Sequence, residues 1–145
     1  MFLNELNKKE SIAFVNLVEA LAQIDDVFAQ SEKEMINEYI EDLSLTNETI
    51  EKLTFESSVK ELSSSTDRVR NIIYFELIGL ALADGSYDEK EVKFLNDLAV
   101  QFNISTKKQK DFINYFKIVK EVYDSTFVDY ENKIESLKKS AMDLL

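Results

Sequence analysis

The chain contains no proline and only two glycines, Gly79 and Gly85, in 145 residues. Tight hairpins depend on the positive or fixed φ angles that those two residue types supply, so a strand-rich fold lacks its punctuation here. Leucine, glutamate, lysine and alanine favour helix instead, and the chain reads as all-α. Its length suits one domain with a sizeable core. Residues 1–145 are therefore expected to form a single compact helical bundle.

Charge and missing residue types narrow the chemistry. Twenty-eight acidic against 17 basic residues give a net charge of -11, which repels phosphate backbones and argues against nucleic acid as a partner. With no cysteine and no histidine, disulfides, thiolate metal sites, cysteine nucleophiles and the usual general base are excluded. What remains is carboxylate chemistry. The segment MFLNELNKKE lacks a basic stretch followed by an apolar run, and no apolar stretch is long enough to span a bilayer. The expectation is a cytoplasmic protein, with peripheral association at the inner face of the membrane as the other placement and no membrane insertion.

Shifting the chain against itself by 59 residues lays residues 11–62 over 70–121 and brings apolar positions into register. Phe14 meets Ile73, Val18 meets Leu77, Met35 meets Phe94 and Ile36 meets Leu95. Further along, Tyr39 meets Leu98, Leu43 meets Phe102, Leu45 meets Ile104, Leu53 meets Phe112 and Val59 meets Ile118, all at positions that helical periodicity turns inward. Each half reads as three helices: 9–25, 31–43 and 47–63, then 67–84, 88–102 and 105–123, with a seventh over 126–144. Ser31 with Glu34, Asp88 with Glu91 and Thr106 with Gln109 carry capping-box spacing. The polar joint Ser63–Asp67 links two similar three-helix halves that share one core. Ala20 pairs with Gly79 and Ala22 with Ala81, small residues where the first helices of the two halves are expected to cross closely.

Within this apolar repeat lies a polar identity: Asp25 precedes Glu32 as Asp84 precedes Glu91, each by seven positions across an interhelical turn. The second turn, from Ala83 to Glu91, is the denser, and Gly85 permits the positive φ that lets several oxygens converge. Oxygen-rich turns suit Ca²⁺, Mg²⁺ or Mn²⁺. Helix capping explains Asp88 and Glu91 by itself. Asp84 is harder to explain by capping, since its charge at a helix end opposes the dipole; a lysine would compensate it, or a divalent cation held by Asp84, Asp88 and Glu91. An EF-hand does not fit, since Glu89 stands at the loop's glycine position and Leu95 at its bidentate glutamate.

The stretch LIGLALADGSYDEKEVKFLNDLAVQFNIS, Leu77 to Ser105, resembles the signature of the TerB-like tellurite-resistance proteins, in which an apolar helix ends in Ala-Asp-Gly before an acidic helix start. Residues 17–43 resemble its degenerate counterpart. The resemblance implies an all-helical, internally duplicated fold linked to bacterial stress and tellurite resistance, with relatives in a membrane-anchored DnaJ-like co-chaperone. It implies divalent-metal binding at Asp84 and Glu91, and extends to Asp25, Glu32 and Asp88. The first half departs from the pattern, with Asp26 in place of glycine.

Residues 105–120 hold Lys107, Lys108, Lys110, Lys117 and Lys120 against Asp111 alone, a basic segment in an acidic chain. Three lysines in a helix's first turns oppose its dipole, which asks for compensation inside the molecule or for an acidic partner docking on Lys107, Lys108 and Lys110. Phe112, Tyr115, Phe116, Val119 and Tyr123 follow helical spacing and read as core. The functional expectation is a non-catalytic binding module that contacts protein partners and holds a divalent cation weakly. The alternatives are a metal-independent adaptor or structural subunit and, more remotely, a carboxylate-based metal enzyme, for which no Glu-x-x-His motif is present.

Overall fold

The computed structural model describes residues 2–24, 26–46, 49–83, 89–123 and 127–145. Among them are a 3-10 turn, Leu3–Glu5, and seven α-helices: α1 Lys8–Ile24, α2 Asp26–Asp42, α3 Phe55–Leu62, α4 Asp67–Ala83, α5 Glu89–Gln101, α6 Thr106–Tyr123 and α7 Phe127–Leu144. No strand occurs among the described residues.

Short polar residues start four of these helices. Asn7 Oδ1 accepts from the Glu10 amide at 2.9 Å while Glu10 Oε1 accepts from the Asn7 amide at 2.9 Å, a reciprocal capping box that satisfies two orphan donors. Thr54 caps α3 through the Ser57 amide at 3.1 Å. Thr66 caps α4 through Val69, and Ser105 caps α6 through Lys108, both at 3.2 Å. The cap of α6 is thus Ser105, one residue before the expected Thr106. Ser31 is not a cap, because α2 already begins at Asp26; no glycine or proline between them interrupts the helix.

The third helix is the largest departure from expectation. It begins at Phe55 rather than near residue 47. Residues 49–54 are held out of helical form by Asn16 of α1, whose Nδ2 donates to the Glu51 carbonyl at 2.8 Å and whose Oδ1 accepts from the Leu53 amide at 2.9 Å. A tertiary contact from 35 residues away overrides local propensity here.

The 59-residue spacing recurs in backbone form. The limits of α1 and α4 differ by that offset at both ends, and α2 and α5 end in step. The two non-glycine residues with positive φ, Ser44 at 59° and Asn103 at 58°, stand at equivalent places. Around Ser44, the amides of Ser44 and Leu45 donate to Glu41 and Ile40; around Asn103, those of Asn103 and Ile104 donate to Val100 and Ala99. Both are Schellman terminations, sealed by the buried apolar residues Leu45 and Ile104. Left-handed backbone strains serine more than asparagine. Ser44→Gly is therefore expected to stabilise by about 0.5–1 kcal/mol, and Asn103→Gly by about half of that; the two urea midpoints measure the difference.

Packing places α4 at the centre. Ile72, Ile73, Tyr74, Phe75, Leu77 and Ile78 are all buried, so the helix is covered around most of its circumference, as its apolar composition requires. It packs on α1, α5 and α6, while α1 packs on α2 and α3 and α6 on α7. Buried residues from both halves form one contiguous core. The joint at residues 63–67 is fastened by Arg70, whose Nη1 donates to the carbonyls of Leu62, Ser63 and Ser65 at 3.4, 3.2 and 2.6 Å. It thereby collects the open carbonyls at the end of α3.

Two expectations about the repeat need correction. Gly79 does not serve a crossing of α1 with α4: a Cβ there would lie 2.8 Å from Phe116 Cζ, so its smallness admits the α6 ring. Ile118 is 49% exposed although its counterpart Val59 packs against the core, because Phe112, Tyr115, Phe116 and Val119 already occupy the inward face of α6.

Candidate functional site

Helix α5 begins at the acidic turn and turns one carboxylate inward. Glu89 and Lys90 are exposed, whereas Glu91 is 2% exposed. Helical geometry explains its direction, since Glu91 stands three, four and seven residues before Phe94, Leu95 and Leu98, all buried. Glu91 therefore heads the apolar stripe of α5. A charged carboxylate in such a place needs strong polar compensation, to which the positive end of the α5 dipole contributes.

Of the other acidic positions, Asp25, Asp84 and Asp88 lie outside the described residues, as does the side chain of Glu32, which falls within α2. Among the described residues no group of three carboxylates converges on a point where a metal could bind. Glu91 is thus the part of the acidic turn that the structure places, and it places it facing the core.

The basic segment forms the outer face of α6. Lys107, Lys110, Asn114, Lys117 and Ile118 are exposed along one side of the helix, and Lys108 is half-buried. Lys107 is partly compensated within the helix, its Nζ lying 3.0 Å from Asp111 Oδ2. That exposed pair contributes little to stability. On the opposite side Phe112 and Tyr115 are buried, so both join the core as expected.

Sequence reasoning missed a groove of about 400 Å³ where α4, α6 and α7 meet. Phe75, Gly79, Leu80, Phe116, Val119 and Leu137 give it an apolar lining, with Glu76 and Lys138 as charged members. Glu76 accepts a hydrogen bond from the Tyr39 hydroxyl at 3.0 Å. Burial pushes the Tyr39 phenol well above its ordinary value, and the Glu76 charge adds to the effect, so Tyr39 stays a neutral donor. The signal for the groove was Gly79 in an otherwise bulky helix, but nothing in the chain's order says that Phe116 would fill the space.

Compared with known proteins, the chain matches no family model, no curated protein and no solved structure. Among the described residues no helix is long and apolar enough to cross a membrane.

Proposed function

We propose that the chain is a non-catalytic, TerB-like binding module associated with stress or tellurite resistance, holding a divalent cation weakly at its acidic turn and contacting protein partners through the α6 lysines. The observation that supports the cation is the burial of Glu91. Capping does not require burial: Glu10 does the same work in the box that starts α1 while remaining partly exposed. In this reading the inward-turned Glu91 carboxylate would supply one ligand oxygen, with Asp84 and Asp88 of the same turn supplying the others. In this reading Asp25 and Glu32 form a weaker counterpart in the first half. Association with the inner membrane face would follow from a membrane-bound partner.

A metal-independent adaptor is the second reading. It is favoured by the Asn7–Glu10 box itself, because Asp88 and Glu91 have the same three-residue spacing and the chain demonstrably uses that spacing for capping.

Thermal melting of metal-stripped protein separates the two. With cation at about ten times its dissociation constant, mass action contributes about 1.4 kcal/mol, or roughly 3–6 °C in a domain of this size. The gain is expected for one of Ca²⁺, Mg²⁺ or Mn²⁺ and is expected to vanish in Asp84→Asn/Glu91→Gln. Equal responses of wild type and variant to every cation would remove the metal and leave the adaptor.

A further inference from the structure

Two helices carry charge of the wrong sign for their own dipoles. The first turn of α6 has no acidic residue and holds Lys107 and Lys108, at the end where the backbone is already positive. The last turn of α2 has no basic residue; Glu38, Glu41 and Asp42 crowd its negative end. The solvent faces continue the same signs. Among the described side chains, the exposed charged residues of α2 are Glu34, Glu38, Glu41 and Asp42, and those of α6 are Lys107, Lys110 and Lys117, with the half-buried Asp111 paired to Lys107. Exposed faces elsewhere are mixed, as on α3 with Glu56, Lys60 and Glu61 and on α5 with Glu89, Lys93 and Asp97. Each of the two faces supplies what the other lacks, and they belong to different parts of the fold, α2 packing on α1 and α6 on α4 and α7.

From this complementarity we propose that α6 docks on α2 of a second copy of the chain, side by side and antiparallel. The positive end of one helix then meets the negative end of the other. Glu34 to Glu41 spans about 10 Å of helix and Lys107 to Lys117 about 15 Å, so the lysine row covers the glutamate row with one turn to spare. Ile118 at the edge of the lysine row is exposed and adds an apolar contact. Because the two faces differ, the contact is head-to-tail and propagates into a ring or an open chain of copies. Net repulsion between chains of charge -11 keeps each contact weak and makes it sensitive to salt.

The proposal rests on reading the α6 lysines as a partner surface, and it adds the identity of the partner; it is independent of the cation. Sedimentation velocity over a concentration series at low and high salt tests it with three variants. Lys107→Glu/Lys110→Glu/Lys117→Glu and Glu34→Lys/Glu38→Lys/Glu41→Lys are each expected to weaken self-association by about tenfold or more, and mixing the two is expected to restore it. The control Lys52→Glu/Lys60→Glu/Lys93→Glu, of equal charge change on other exposed lysines, is expected to differ from the first variant by self-associating more strongly than it does. Variants that have lost their helical circular dichroism cannot recover on mixing, so recovery itself certifies the folds. A wild-type chain that stays monomeric at every concentration, or reversed variants that do not recover together, would overturn the proposal. Poly-glutamate binding to such a monomer, lost in the α6 variant, would show that the lysine face takes an acidic partner other than this chain. A wild-type chain that neither self-associates nor binds poly-glutamate would end both readings.

Discussion

Phe112→Ala is expected to cost about 3–5 kcal/mol of folding stability, a fall in melting temperature of about 9–15 °C. Phe112 is fully buried, with ring centroids of Tyr74 and Phe75 at 5.7 and 5.9 Å. Truncation removes both aromatic contacts and opens a cavity between α4 and α6, two packed helices that cannot easily collapse to fill it. Leu53 stands 59 residues earlier but lies in the segment before α3 and is only half-buried; Leu53→Ala is expected to cost less than about 2 kcal/mol. Urea denaturation checks the pair: the midpoint should fall much further for Phe112→Ala, with little change of slope. Equal costs would mean that the two positions are energetically equivalent despite their different surroundings.

Asn16→Ala is expected to cost about 2–4 kcal/mol through a different mechanism. The carboxamide is 6% exposed. It donates to the carbonyls of Ile12 and Glu51 at 2.9 and 2.8 Å and accepts from the Leu53 amide at 2.9 Å. Alanine leaves the Leu53 amide and the Glu51 carbonyl without that partner in a part-buried place, and each such loss costs about 1–3 kcal/mol. Thr54→Ala, which removes only the neighbouring helix cap, is expected to cost about 1 kcal/mol. Hydrogen exchange gives the local signature: the Leu53 amide should lose protection in Asn16→Ala before the α4 core does. Unchanged protection there would show that residues 49–54 do not depend on Asn16.

These two side chains also show what could be read in advance. Phe112 follows the helical stripe of α6, a local pattern, and its burial was legible from spacing alone. The limits of α4, α6 and α7 were legible for the same reason, falling within one residue of expectation. Asn16 has no such mark. Two of its three partners are more than thirty residues away, and an asparagine in a helical stretch looks solvent-facing until the chain returns to meet it. The Schellman ends at Ser44 and Asn103 were hidden because neither position is glycine, the residue that usually announces a left-handed termination. Gly79 was visible as a small residue, but the neighbour it admits is on α6 rather than α1. At the acidic turn the register of Glu91 with Phe94, Leu95 and Leu98 already pointed inward, though its chemistry suggested a solvent-facing cap.

Cation binding at that turn is best tested by titrating Mn²⁺ into isotopically labelled, metal-stripped protein and following paramagnetic broadening of each backbone amide. The account predicts that signals of Ala81, Leu82 and Glu89 to Val92 disappear first, and that Ca²⁺ or Mg²⁺ in excess restores them. Broadening that begins instead along the exposed carboxylates of α2, at Glu34, Glu38 and Glu41, or that spreads evenly over the acidic surface, would contradict a site at the turn.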